Sequence, residues 1–115
     1  MPAQVGEIKT VTALMASGAG TASAIYPGGY NKFSLFIPTL TSAVLSFIGD
    51  TGGGGWAQFR TQAGAVVTAQ PTAGTGAAWT DSNALSFLAG FNGQVSISAA
   101  AAQTADRNFI WHLKG

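Results

Sequence analysis

The chain alternates apolar and polar residues in short runs. In Lys32–Ile37 the alternation places Phe33 and Leu35 on one face, and Asn108–Leu113 shows the same period near the end of the chain. Successive side chains of a strand point to opposite faces, so a period of two predicts a β-strand with one face towards a core. In the second run the residues predicted to point inward are Phe109, Trp111 and Leu113.

Further strands are predicted from shorter or less regular runs. In Ala43–Ile48, Leu45 and Phe47 share one face and Val44 and Ile48 share the other, which is typical of a strand buried on both faces. The remaining predicted strands are Ile8–Met15, Trp56–Arg60, Ala65–Ala69, Ala77–Thr80 and Gln94–Ser98.

Two segments have less definite patterns. Leu85–Ala89 fits either a strand or a single helical turn. Ala99–Ala102 favours a helix by propensity but is too short to hold one, so it is predicted to be a loop leading to the last strand.

Glycine and proline recur between these runs. Regular turn signals with short strands between them are typical of an all-β sandwich or barrel. We expect one all-β domain over residues 1–115, a β-sandwich of about seven or eight short strands, with jelly-roll and immunoglobulin-like topologies both open. Residues 1–6 precede the first strand and are expected to form an extended N-terminal arm.

Charged residues are scarce, at 8% of the chain against about a quarter in an ordinary domain. Such a surface is expected to be covered by other subunits. The basic residues are scattered, so no basic patch predicts nucleic-acid binding. The longest apolar stretch, Leu35–Ile48, contains Pro38 and is shorter than the about 20 residues of a bilayer span, and the N-terminus lacks the pattern of a signal peptide.

The titratable side chains offer little chemistry. Cysteine is absent, which excludes disulfides, thiolate nucleophiles and cysteine-based metal sites. His112 is the only histidine and is expected at the surface or at an interface. The four acidic residues fit no catalytic loop, and Asp50 and Asp81 each begin a turn. We therefore expect a protein that is not an enzyme, with no catalytic residue, no metal and no cofactor.

The three tryptophans, Trp56, Trp79 and Trp111, lie in predicted strands and are expected to pack in the core or at an interface. Trp56 has a second interpretation. It follows the loop Gly52–Gly55 and precedes polar residues of its own run, so it is the best candidate for a sugar-stacking platform. The loop itself is predicted to be a turn, because the lysine and hydroxyl residue of a phosphate-binding loop do not follow it.

Two stretches carry a resemblance to a known class of proteins. Residues 32–47 read Lys-Phe-Ser-Leu-Phe-Ile-Pro-Thr-Leu-Thr-Ser-Ala-Val-Leu-Ser-Phe, and residues 101–109 read Ala-Ala-Gln-Thr-Ala-Asp-Arg-Asn-Phe. The first resembles the segment of strand, Ile-Pro, small polar link, Ser-Ala and strand in small virion-associated proteins of tailed bacteriophages. The second resembles the Ala-Gln-x-Ala-Asp-Arg run before their final strand. Together they cover about a fifth of the chain.

The resemblance implies a viral structural protein with a β-sandwich fold, namely a capsid cement or decoration protein that binds the outside of the phage head and stabilises it. Its implied partners are the major capsid protein and further copies of itself in a trimer, with no nucleic acid and no membrane. Its implied location is the capsid surface of the virion, after synthesis in the bacterial host cytoplasm. Two alternatives stay open: a neck, tail or baseplate protein, and a carbohydrate-binding or receptor-binding module.

Assembly contacts are expected in the N-terminal arm, in the loops Gly52–Gly55 and Gln70–Gly76, and next to the last strand. The arm carries no charge, and a terminus that reaches a neighbouring subunit becomes ordered there. The residues expected to make these contacts are Met1, Pro2, Ala3, Gln4, Val5, Trp56, Pro71, Asp106 and Arg107.

Overall fold

The computed structural model describes residues 7–40, 44–69, 78–80 and 82–115. These residues form eight strands and one 3-10 helix. The strands are β1 (Ile8–Met15), β2 (Lys32–Ile37), β3 (Leu45–Asp50), β4 (Trp56–Gln58), β5 (Thr68–Ala69), β6 (Ala78–Trp79), β7 (Val95–Ala99) and β8 (Arg107–Lys114), and the 3-10 helix is Ser82–Leu88.

The strands make two antiparallel sheets that pack together as a single β-sandwich. Sheet A has the order β1-β8-β2-β6. In sheet B, β3 pairs with β7 on one side and with both β4 and β5 on the other. The fold predicted from the alternating runs is therefore confirmed as all-β and sandwich-like.

The strand pairing follows one nested order. β1 pairs with β8, residues 21–25 form bridges to β7, β2 pairs with β6, and β3 pairs with β4 and β5. Partners thus run from both ends of the chain towards its middle, which is how a jelly roll is wound. In the immunoglobulin topology the first two strands share a sheet as neighbours. Here β1 pairs with β8 instead, so we assign the jelly-roll alternative.

The core consists of the alternate side chains that the two sheets turn towards each other. Phe109, Trp111 and Leu113 of β8 are buried, as are Phe33 and Leu35 of β2, so the inward faces predicted for these strands are correct. Burial of each large apolar side chain stabilises a fold by about 1.5 to 3 kcal/mol.

A series of ring contacts crosses this core. Phe47 of β3 contacts Trp111 in the opposite sheet and Phe87 of the 3-10 helix, with ring centroids 6.2 and 5.5 Å apart. Phe59 contacts both Phe87 and Phe91 at 4.9 Å. The helix and the loop after it are therefore tied to the sandwich by aromatic packing.

Gly49 of β3 lies directly against this aromatic cluster. A Cβ atom there would lie 2.8 Å from the Cζ atoms of both Phe59 and Phe91. Because real Cβ atoms do not approach carbon so closely, only glycine fits between the strand and the two rings.

The edges of sheet B are covered or interrupted. Residues 21–25 run beside β7, where the Ile25 and Val95 backbones exchange two hydrogen bonds of 2.8 Å. On the far side of β3, the chain leaves after Phe59, turns through residues 60–66, and returns as β5. This excursion shortens the predicted strands Trp56–Arg60 and Ala65–Ala69 to Trp56–Gln58 and Thr68–Ala69.

Three sequence-based expectations need correction or refinement. The predicted strand Ala43–Ile48 is β3, which begins and ends two residues later, and Val44 outside it is exposed rather than buried. Its outward residues are only half-buried, because sheet B carries no further layer among the described residues. The segment Leu85–Ala89 lies largely in the 3-10 helix, so its helical alternative is right and its strand alternative is wrong. The loop predicted at Ala99–Ala102 begins one residue later, because Ala99 ends β7 and residues 100–106 form no strand or helix.

Gly49→Ala is expected to lower the free energy of unfolding by about 1 to 3 kcal/mol, because the added methyl group overpacks the site between Phe59 and Phe91. Gly53→Ala is the matched control, since a Cβ at Gly53 meets nothing within 4 Å, and its change should stay within about 0.5 kcal/mol. Urea unfolding of the three proteins measures both values. Equal stability of the Gly49 and Gly53 variants would contradict the close packing.

Candidate functional site

The outward side of sheet A is the most distinctive surface of the molecule. Inward positions of β1, β8 and β2 fill the core, so the alternate positions point away from it. We call these residues the outer face of sheet A: Ile8, Thr10, Thr12, Leu14, Lys32, Ser34, Phe36, Trp79, Asn108, Ile110, His112 and Lys114. The outward side of an antiparallel sheet is ordinarily polar, whereas this one carries several large apolar residues.

Aromatic side chains cluster where β2, β6 and β8 meet. Trp79 lies opposite Phe36 in the strand register, and the two rings pack edge to face with centroids 5.3 Å apart. The other side of Trp79 packs against His112, with centroids 4.6 Å apart. Trp79 remains 48% exposed, so its ring is held in place by two neighbours and still offers area for contact.

Aliphatic side chains extend this surface along β1. Ile8 is 67% exposed and Leu14 is 41% exposed. Single exposed apolar residues are common on proteins, but several on one sheet face indicate an interaction surface.

Two lysines lie directly opposite each other at one end of the outer face. Lys32 of β2 and Lys114 of β8 are register partners, a placement that brings like charges close together. Neither ammonium group has an ion-pair partner among the described residues. They border a groove of about 260 Å³, whose lining is Ile8, Lys32, Phe33, Ser34, His112, Leu113 and Lys114. This end of the face is suited to a partner that brings negative charge.

Tyr30 and Glu7 meet beside the same end of sheet A. The Tyr30 hydroxyl donates a 3.0 Å hydrogen bond to Glu7 Oε2, and the Gly115 amide donates to the Glu7 carbonyl at 2.8 Å. Burial raises the pKa of Tyr30 above its ordinary value, and the hydrogen bond and negative charge of Glu7 raise it further. The neutral phenol is therefore the form that the folded chain favours.

Trp56 lies on the other sheet, beside the glycine-rich loop. Asp50 Oδ1 accepts a 2.8 Å hydrogen bond from the Gly52 amide, which confirms the predicted turn at Asp50. Trp56 is the register partner of Asp50 and is 45% exposed. Of the two predicted alternatives, core packing is correct for Trp111, which is fully buried, whereas for Trp56 and Trp79 only packing at an interface stays a prediction.

Asp106 and Arg107 each form a hydrogen bond with another part of the chain. Asp106 Oδ1 accepts from the Ser17 amide at 2.8 Å, and Arg107 Nε donates to Gln103 Oε1 at 3.2 Å. Arg107 begins β8, whereas Lys114 ends it. Asp106 and Arg107 therefore lie at the end of the sandwich away from the groove that Lys32 and Lys114 border.

The described residues that were expected to make assembly contacts do not lie together. Trp56 lies on sheet B, and Asp106 and Arg107 lie at the end of the sandwich where β8 begins. The other expected contact residues, Met1, Pro2, Ala3, Gln4, Val5 and Pro71, lie outside the described residues, as does the predicted turn at Asp81.

The outer face of sheet A was not among the predicted contacts, although part of its signal is visible in the sequence. The alternation in Lys32–Ile37 turns Phe36 away from the core side that holds Phe33 and Leu35. An aromatic residue on the outward side of a strand is the sign that could have located this surface. His112 was expected at the surface, and it is exposed.

The described residues provide no candidate metal site and no candidate membrane-spanning helix. Among the described residues, no three His, Cys, Asp or Glu side chains come together in a way that could hold a metal ion. Within the same part of the chain, no helix is long and apolar enough to cross a membrane.

Comparisons with known proteins found no protein similar to this chain. A scan of protein families found no match, and searches of curated proteins and of solved structures found none either.

Tyr30→Phe is expected to change how stability depends on pH. The folded-state pKa of Tyr30 lies above the unfolded value of about 10, so its contribution is fully present below that pH and is lost as the pH rises through the folded-state pKa. The free energy of unfolding should therefore fall more steeply above pH 10 in the wild type than in Tyr30→Phe, as measured by urea unfolding at stepped pH. Tyr26→Phe controls for the loss of a phenol, and identical profiles for the wild type and Tyr30→Phe would contradict the expectation.

Proposed function

We propose that this chain is a non-enzymatic structural protein of a phage particle, a capsid cement protein that binds the outside of the head and stabilises it. The observation that carries the proposal is the outer face of sheet A. It combines the exposed Trp79 with the exposed aliphatic residues Ile8 and Leu14 on a surface that has no covering layer among the described residues. The class of assembly comes from the resemblance in residues 32–47 and 101–109.

The composition supports a role in repeated contacts. A cement subunit binds many equivalent places on one shell, so it needs packing area more than titratable groups. With 8% charged residues, the chain loses little hydration when its surface is covered. Jelly rolls also occur in viral capsid domains and in lectins, which is an analogy of fold and leaves the function to the surface.

Trp79 is proposed as the central contact of this face. Its ring is supported by Phe36 and His112, so it is ordered before binding and loses little conformational freedom on contact. Lys32 and Lys114 stand on the same face, where acidic groups of the major capsid protein would pair with them.

A carbohydrate-binding or receptor-binding module is the second candidate, because Trp56 is 45% exposed. Gln58 is on the same face of β4, and Arg60 Nη1 donates to the Gly64 carbonyl at 2.9 Å. An exposed tryptophan beside polar side chains is a common sugar-stacking arrangement.

Quantitative mass spectrometry of purified particles is the first test of the proposal. The expected result is a copy number close to that of the major capsid protein. A ratio of a few per cent would instead assign the chain to the neck, tail or baseplate. Absence from the particle would refute all the virion roles and leave the binding module.

Trp79→Ala and Trp56→Ala form a matched pair of variants, because the two rings are similarly exposed and lie on opposite sheets. Trp79→Ala is expected to weaken binding to expanded heads by about tenfold or more, as removal of a central aromatic contact does. Trp56→Ala should leave head binding unchanged. Co-sedimentation with heads measures the affinities, and thermal melting checks that both variants fold.

The reverse outcome would move the shell contact to sheet B. If Trp56→Ala abolished binding on a glycan array while neither variant altered head binding, the carbohydrate-binding function would replace the cement function.

A further inference from the structure

The edge of sheet A at β1 has an open row of backbone groups. Leu14 accepts a 3.0 Å hydrogen bond from the Ser23 amide, so its carbonyl points away from β8. Residues of an antiparallel strand alternate between facing the partner strand and facing away from it. Ile8, Thr10 and Thr12 share the parity of Leu14, so their N–H and C=O groups also point away from β8. No described residue forms a hydrogen bond with these groups.

The edges of sheet B contrast with β1. Residues 21–25 cover β7, and the excursion through residues 60–66 interrupts the edge formed by β4 and β5. β1 instead extends over eight residues without proline and pairs with β8 in unbroken register. Of the devices that normally block pairing at a sheet edge, β1 carries one charged residue, Lys9.

From this edge we infer that β1 pairs antiparallel with β1 of a second copy of the chain, about a two-fold axis at Thr10. In that register Thr10 lies opposite Thr10 of the other copy, and Ile8 lies opposite Thr12. Every outward N–H and C=O group of these three residues then meets its complement, because a two-fold axis makes the same strand its own partner. The register uses the stretch of β1 between Glu7 and Leu14. The open edge ends at Leu14, because its carbonyl accepts the hydrogen bond from the Ser23 amide.

The side chains in this register favour a second copy as the occupant. Ile8 comes diagonally next to Leu14 of the other copy, so two of the exposed apolar residues are brought together. Lys9 lies opposite Val11, so the Lys9 side chains of the two copies are diagonal neighbours and are not directly opposite each other. Threonine opposite threonine at the axis is a favourable cross-strand pair.

The pairing would join two copies of sheet A into one continuous sheet. The outer faces of both copies would lie on the same side, with Trp79 away from the new contact, because β6 lies beyond both β8 and β2 from the β1 edge. The inference therefore goes beyond the proposed function and does not depend on it.

Single-cysteine variants test the register, because the natural chain has no cysteine. Thr10→Cys should form a disulfide-linked dimer under mild oxidation, since Cα atoms of a hydrogen-bonded antiparallel pair are about 5.5 Å apart, within disulfide range. Thr12→Cys alone should remain uncrosslinked, because it faces Ile8. A mixture of Thr12→Cys and Ile8→Cys should give the mixed dimer. Equal crosslinking of Thr10→Cys and Thr12→Cys would overturn the register.

Mass measurement of the purified chain tests the pairing without crosslinking. Light scattering after gel filtration should give twice the 11.6 kDa chain mass for the wild type and for Thr10→Val, which keeps the amide. Thr10→Pro should give a folded monomer, because it removes an outward N–H that β8 does not use. A wild-type monomer would overturn the inference, as would the trimer implied by the resemblance, since a three-fold assembly cannot use this two-fold contact.

Discussion

The Trp111 side chain of β8 packs across the sandwich against Phe47 of β3, and both rings are buried. β8 also lies between β1 and β2, so the same strand completes sheet A and supplies the central contact with sheet B. Trp111 Nε1 has no hydrogen-bond partner among the described residues. An unsatisfied buried donor costs about 1 to 3 kcal/mol, which the burial of the ring must offset. The core is thus filled by large aromatic rings, and the Trp111 N–H group is buried without a hydrogen bond among the described residues.

The sequence predicted the long strands well because each has one buried face. β1 and β2 have the predicted bounds, and β8 is one residue longer at each end than predicted. The short strands were predicted less well, because β4, β5 and β6 are ordered by their neighbours rather than by their own pattern. The 3-10 helix likewise depends on contacts such as Phe87 with Phe59, which no local periodicity records.

The candidate surface was harder to predict than the fold. Alternation assigns residues to one side of a strand or the other, so it placed Phe36 and His112 away from the core. Alternation does not show that β6 pairs with β2. That pairing is what places the Trp79 ring against Phe36 and His112. The open edge of β1 was harder still to predict, because it follows from the order of strands in the sheet. A strand lies at an edge only when no other strand pairs with its second side.

The nested strand order has a consequence for how the protein is made. β1 and β2 both pair with β8, the last of the eight described strands in chain order, so sheet A lacks the strand between β1 and β2 until β8 has been made. Until then the apolar sides of β1 and β2 have only transient contacts, and pairing over such long sequence separations is slow. Low charge density removes much of the repulsion that would keep nascent chains apart. Rapid pairing of β8 with β1 and β2, once β8 has been made, therefore shortens the time for which these apolar sides are exposed to aggregation.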